Sequence, residues 1–202
     1  MPNRDRQTER REATRREIVD AAWEIARQDG LGAVTLRQVA ARVGMRSPSL
    51  YSHFESKNAI YDAMFGQAWS DFLTICASRE ASLPKAPRKA LLAIAQTFVD
   101  FAAADLARFQ LMNQRMVADF QPSAESYAPS VRVMDLFRHR LHLIGVRADA
   151  DVDLCVAIIG GLVDSQFAND PGGTRWSRLL PRAIDMFADD VSLPGPRLRR
   201  SR

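Results

Sequence analysis

The residues of this chain best equipped to meet a charged partner crowd into one short stretch. Thr35, Arg37, Arg46, Ser47, Pro48, Ser49, Tyr51, His53 and Lys57 all fall within it. Their types suit reading a polyanion with patterned edges. An arginine fork fits guanine O6 and N7, and Pro48 offers an apolar edge to a thymine methyl. Serine, tyrosine, histidine and lysine can donate to phosphate oxygens. Elsewhere the chemistry is thin. His139 and His142 stand three apart, with Asp135 four before His139, but no third and fourth metal ligands cluster with them. No glycine-rich phosphate loop and no nucleophile elbow occurs. The expectation is therefore a protein that is not an enzyme and that uses no cofactor or metal.

Two short helices must position these side chains. Thr35 is a good N-cap, and Gln38 stands where it can complete a capping box. Leu36, Val39, Ala40 and Val43 then share one helical face. Gly44 ends the helix, because glycine accepts the left-handed conformation without steric cost. Ser47-Pro48 starts the second helix, with serine as cap and proline at the first position. That helix, expected from Pro48 to about Phe54, buries Leu50 and Phe54 and turns Ser49, Tyr51, Ser52 and His53 outward. A support helix, a sharp turn and a short groove-entering helix make a helix-turn-helix.

The run T-L-R-x-V-A-x-x-V-G, then S-P-S-L-Y-x-H-F, then K-x-x-[IL] also resembles the DNA-binding domain of TetR-type transcriptional regulators. The residues that carry the likeness run from Thr35 to Lys57 and, with the first helix, it covers residues 14 to 65. The resemblance implies DNA contact from the positions of Arg37, Ser47, Pro48, Ser49, Tyr51, His53 and Lys57. Arg46 has no fixed counterpart in that pattern and either adds a contact or is solvated.

Charge is distributed unevenly. Residues 1–57 carry 11 basic and 8 acidic side chains, residues 58–194 carry 13 and 16, and the last eight add four arginines. A basic end suits phosphate. No run of eighteen apolar residues exists, and the charged start has no apolar stretch behind it, so neither a membrane span nor a secretory signal is expected. Cys76 and Cys155 lie in apolar helical patterns and read as reduced, buried thiols. A cytoplasmic protein is expected.

The fold expected is all-α: an N-terminal three-helix helix-turn-helix domain and a C-terminal six-helix ligand-binding and dimerisation domain. Residues 1–13 read as a flexible basic arm, whose arginines could touch phosphates or a minor groove. Residues 14–56 read as the DNA-binding domain, its first helix starting at Thr14 with Glu17 completing a capping box. Residues 57–192 read as the effector and dimer domain, with helices at about 57–80, 87–104, 105–118, 126–144, 150–168 and 174–190. Residues 193–202 read as a disordered basic tail.

Phenylalanine and methionine crowd the middle helices. Phe98, Phe101, Phe109, Met112, Met116, Met134 and Phe137, with Asn113 and Gln166 to orient a ligand, are candidates for an apolar effector pocket or for ordinary core. Ile158, Gly161 and Leu162, with Leu180, Ile184 and Phe187, are candidates for a dimer face, since reading two half-sites needs a two-fold dimer. The resemblance implies a four-helix dimer interface and a small-molecule effector whose binding shifts the DNA-binding domains. The function expected is a repressor, released from a palindromic double-stranded operator by a small hydrophobic effector. The competing reading is a helical DNA-binding or interaction module with no effector.

Overall fold

Alanine, leucine and arginine are plentiful between the proline and glycine breaks, and these residues lose little side-chain freedom in a helix. The computed structural model describes residues 2–196 and 198, and among them it is all-helical, without a strand. Nine α-helices follow in order: α1 (Pro2–Asp29), α2 (Leu36–Arg42), α3 (Ser47–Tyr51), α4 (Lys57–Arg79), α5 (Pro87–Ala103), α6 (Leu106–Asn113), α7 (Ala124–Ile144), α8 (Asp149–Asn169) and α9 (Leu180–Asp190).

Helix α3 ends at Tyr51, short of the expected Phe54, and three further boundaries differ from expectation. Helix α1 starts at Pro2, so the stretch expected as a flexible arm is its first turns. Thr14 is not a cap; its hydroxyl donates to the Arg10 carbonyl one turn back, at 3.0 Å. Arginine, glutamate and glutamine favour this continuation, and Glu12 stands four residues before Arg16 on the same face. Helix α6 stops at Asn113, where Gln114 turns extended without a glycine or proline to mark the break. Helix α9 starts at Leu180, with Pro181 in its first turn, and a 3₁₀ turn at Ser177–Leu179 precedes it.

The chain forms two compact units, and they do not divide at residue 57. The first comprises residues up to Asp71 together with Asp105–Pro129; the second comprises Phe72–Ala104 and the residues from Ser130 onward. In the first, Ile18, Val39, Leu50, Phe54, Ile60 and Met64 form a buried core. In the second, Leu91, Leu141, Val152, Cys155, Leu180 and Ile184 do so.

A buried arginine organises the second unit. Arg88, in the first turn of α5, reaches Asp189 at 2.7 Å and Asp185 at 3.4 Å, both on α9. It also donates twice to the Leu193 carbonyl, at 3.2 and 3.0 Å. Leu193 is itself buried, and the Leu198 N–H donates to Asp185 at 2.9 Å. The part of the expected disordered tail that the structure describes is thus held against α9, while residues 197 and 199–202 lie outside the described residues.

Removing one partner from such a group leaves uncompensated buried charge. Arg88→Ala is expected to lower unfolding stability by about 3 kcal/mol in urea titration, in line with other broken buried pairs. An unchanged midpoint would show that the aspartates do not depend on it.

Candidate nucleic-acid interface

Helix α3 has five residues, far too few to persist alone, so its surroundings must fix it. Leu50 and Phe54 anchor it, at 0 % and 1 % exposure. Helix α2 enters through Thr35, whose hydroxyl oxygen accepts from the Gln38 N–H at 3.2 Å. The reciprocal half of the expected capping box is absent: the Thr35 hydroxyl donates to the Gln38 side-chain oxygen instead, at 2.9 Å. Helix α2 exits at Gly44, with φ of 70°, where Met45 N–H donates to Ala40 O at 2.8 Å and Gly44 N–H to Ala41 O at 3.3 Å. This is a Schellman ending, and it demands the left-handed residue. Ser47 is not the cap of α3; Arg46 is, accepting from the Ser49 N–H at 2.9 Å through its main-chain oxygen.

Two side chains from α1 complete the site, and neither was expected in this role. Arg15 lies over the Phe54 ring, 4.1 Å from its centroid, and donates to the His53 carbonyl. Arg11 donates to the Ser52 carbonyl at 3.3 Å. Together they satisfy carbonyls just beyond the C-terminal end of α3, where cations are also favoured by the helix dipole. The sequence signal is two arginines four apart, but that spacing equally suits phosphate contact. Arg42 fastens α2 to α1 through Glu24 at 2.9 Å and Gln28 at 3.0 Å.

What remains is an exposed edge. Thr35, Arg37, Arg46, Pro48, Ser49, Tyr51 and Lys57 are exposed, and Ser47 and His53 are half-buried. Tyr51 is 55 % exposed, which excludes packing as its main role. His53 Nδ1 is shut from solvent without a hydrogen-bond partner among the described residues, leaving Nε2 as the ring's outward atom. Lys57 Nζ lies 5.6 Å from the Tyr61 ring centroid, and the Tyr61 hydroxyl donates to the Leu31 carbonyl. Burial pushes the Tyr61 phenol above its ordinary pKa, so it stays a donor. The edge carries hydrogen-bonding tips, two guanidiniums and an ammonium, with no nucleophile–base pair built into it.

The nine pocket candidates are not gathered into one unit. Phe98 and Phe101 belong to the second unit, packed against Phe72 with ring centroids 5.6 and 4.8 Å away. Met134 and Phe137, half-buried on α7, belong to it too. Phe109 and Met112 are buried on α6 in the first unit, where Asn113 and Met116 are exposed. Gln166 has a different task from ligand contact. Its carboxamide donates to the Asp170 carbonyl and accepts from the N–H groups of Trp176 and Ser177, at 2.8 and 3.1 Å, closing the loop before α9.

The first unit holds a cavity of about 180 Å³ that is polar, lined by Asp20, Trp23, Arg27, Gln67, Asp71 and Arg108. Desolvation raises the Asp71 pKa and the Asp20 charge adds to this, while Arg108 opposes both. The thiols of Cys76 and Cys155 are pushed up to about 11 and about 12 by burial, so both are protonated at neutral pH and poor nucleophiles.

Of the dimer candidates, Leu180, Ile184 and Phe187 are fully committed to the core of their own unit, at 0 %, 0 % and 2 % exposure. They cannot be the surface of a dimer. Gly161 is exposed on α8, and Ile158 and Leu162 are half-buried there. The apolar side chains actually facing outward are Leu154 and Val156 on α8 and Met186 on α9.

The site and the fold define a helix-turn-helix protein whose second unit is a separate helical body. Residues 18–64 match the bacterial regulatory proteins of the tetR family. The uncharacterized HTH-type transcriptional regulator YobS of Bacillus subtilis is 33 % identical over 44 % of this chain and 46 % of its own length, so the chain spans under half of that relative. The tetracycline repressor protein class A of Escherichia coli is 25 % identical over 84 % of this chain and 79 % of its own. The crystal structure of the transcriptional regulator FadR from Bacillus subtilis in complex with stearoyl-CoA aligns with a TM-score of 0.67. It covers 85 % of this chain and 96 % of that one at 13 % identity, a likeness of fold. The tetR-family match is thus to the helix-turn-helix segment, residues 18–64.

Arg15→Ala is expected to remove one charge-assisted hydrogen bond and a cation–π contact, at a cost of about 2 kcal/mol. Hydrogen exchange at the Phe54 amide should accelerate more than at the α4 amides. Equal acceleration throughout would show that Arg15 supports the unit and not the end of α3.

Proposed function

We propose that this chain is a sequence-specific DNA-binding transcriptional repressor, acting as a homodimer in the cytoplasm and released from a palindromic operator by a small hydrophobic effector. The observation that carries the DNA-binding part is the exposed edge of α3, held rigid from beneath by Leu50, Phe54 and the two arginines of α1. Ser47, Pro48 and Ser49 are small enough to let the helix backbone approach base edges. Arg37 reads guanine, Tyr51, His53 and Lys57 clamp phosphate, and Thr35 and Arg46 flank them. The name of the tetracycline repressor relative favours repression, and stearoyl-CoA in the FadR complex favours an apolar effector here. Phe98, Phe101, Met134 and Phe137 of the second unit are its proposed receivers. An effector works only by binding the conformation that does not bind DNA more tightly than the one that does.

The proposed dimer face is the outward side of α8 and α9, with Leu154, Ile158, Gly161 and Leu162 on α8 and Met186 on α9. A Cβ at Gly161 would meet nothing within 4 Å in the single chain. Gly161→Arg is therefore expected to fold normally and to run as a monomer in sedimentation, where the wild type runs as a dimer. A dimeric variant would move the interface elsewhere.

Selection of duplexes from a random pool tests the whole reading. An enriched palindrome is expected, with Arg37→Ala and Tyr51→Ala each weakening binding by about 1–3 kcal/mol per half-site, or about 5- to 150-fold. Salt-sensitive binding to every duplex without enrichment would overturn it in favour of a non-selective helical module.

A further inference from the structure

The polar cavity of the first unit shares no residue with the exposed edge of α3, and its lining carries more hydrogen-bonding capacity than the fold uses. Asp20, Trp23 and Arg27 come from α1, Gln67 and Asp71 from α4, and Arg108 from α6, all within that unit. The three on α1 recur at helical spacing and share one face. Arg27 Nε donates to Asp105 at 2.8 Å, and its Cζ lies 5.7 Å from the Trp23 ring centroid. The guanidinium is thus folded back along the helix, one turn nearer Asp20. Its two Nη atoms donate to nothing among the described residues. Trp23 Nε1 donates to Gln67 Oε1 at 2.7 Å, which fixes the carboxamide. The Gln67 Nε2 hydrogens are unused among the described residues. At the other end, the Asp20 charge acts on Asp71, and neither carboxylate accepts a hydrogen bond among the described residues.

We propose that this cavity binds a small zwitterion, its ammonium group held between the Asp20 and Asp71 carboxylates and its carboxylate by Arg27 Nη and Gln67 Nε2. Unused acceptors at one end and unused donors at the other match such a molecule, and match neither a simple cation nor a simple anion. Asp20 and Trp23 are three residues apart, about 4.5 Å along the axis. With the Arg27 guanidinium brought back over Trp23, that gap suits a short ω-amino acid. The volume of about 180 Å³ is that of about six waters, which a four-carbon chain of this kind fills. No group of three His, Cys, Asp or Glu side chains able to hold a metal ion occurs among the described residues, so the two carboxylates call for an organic ammonium. The site differs in place and in chemistry from the apolar one proposed for the second unit. A ligand there ties α1 to α4 inside the unit that carries α3.

Titration calorimetry of the full chain, without DNA, tests this with 4-aminobutyrate, butylamine and butyrate as probes. The zwitterion is expected to bind at one site per chain, at least about tenfold more tightly than either singly charged probe, since each of those lacks the charge-assisted hydrogen bonds of one end. Asp20→Asn/Asp71→Asn should abolish that binding and leave the fold intact, because neither carboxylate hydrogen-bonds another described residue. Gln67→Glu keeps an acceptor for Trp23 and puts negative charge where the ligand carboxylate lies. It should weaken 4-aminobutyrate by at least about tenfold and strengthen butylamine, a reversal that a merely structural change would not produce. Butylamine binding the wild type as tightly as 4-aminobutyrate would overturn the carboxylate end. Undiminished binding in the asparagine variant would overturn the site, and so would a wild type that binds none of the probes. The reading of α3 stands or falls separately, by duplex selection.

Discussion

The stacking of Arg15 on Phe54, with its guanidinium hydrogen-bonded to the His53 carbonyl, is the contact on which the rest of the interface depends. Helix α3 has a single turn's worth of intrahelical bonding, and nucleating so short a helix is unfavourable in isolation. Burial of Leu50 and Phe54 fixes where it sits. It does not fix where it ends, because the carbonyls at its C-terminal end would otherwise face outward unpaired. Arg15 and Arg11 do that from a helix 38 and 41 residues earlier in the chain, so the geometry of the exposed edge is determined by α1 as much as by α3 itself. The edge can stay polar, and available for a partner, because none of its outward tips is needed to hold the helix.

The second unit is organised by a different balance. Arg88 is 7 % exposed and stands among carboxylates and a carbonyl that are all close to it in space and far from it in sequence. A buried ion pair is weak evidence of net stability, since desolvation opposes the Coulombic gain. Its effect here is specificity of position. The α5 start, α9 and the chain after Leu193 each supply one part of the cluster, and a shift of any of them leaves a charge unpaired. The apolar core of Leu91, Leu180 and Ile184 supplies the favourable burial, and Arg88 selects among the ways those helices could pack.

Much of the interface was legible in the sequence because its signals are local. Gly44 needs a positive φ, Thr35 caps within three residues, and Leu50 and Phe54 recur at helical spacing. The misreadings come from side chains whose partners are distant. Periodicity gave Leu180, Ile184 and Phe187 a common face without saying whether their own chain or a second copy covers it. Gln166 looked available because its partners, ten and eleven residues on, lie across a loop whose closure no propensity foretells. Arg11 and Arg15 are chemically suited to phosphate and to helix carbonyls alike. The start of α1 was invisible for a related reason: a helix that is polar all round has no apolar period, and only its favourable side-chain propensities remain as a signal.

Within the first unit, one face of α4 is given over to the start of α7. Asp62 accepts from the Ser123 N–H at 2.7 Å and from the hydroxyls of Ser123 and Ser126 at 2.8 Å each, a carboxylate placed where a helix N-terminus favours one. One turn earlier, Asn58 donates to the Asp119 carbonyl at 3.2 Å. One turn later, Phe65 stacks on Tyr127, 6.2 Å apart and 8° from parallel. Gly66 lets the two backbones close, since a Cβ there would stand 3.2 Å from Ser126. Residues 58, 62, 65 and 66 recur at helical spacing, while Ile60, Tyr61 and Met64 between them are buried in the core of the helix-turn-helix. Moving the first turn of α7 must break charge-assisted hydrogen bonds to Asp62 or carry α4 with it. Helix α4 begins three residues after Phe54, the side chain that seats α3. The start of α7 is therefore joined through one helix, α4, to the segment that seats the exposed edge, and Asp62, which accepts from both Ser123 and Ser126, is the firmest of the contacts across it.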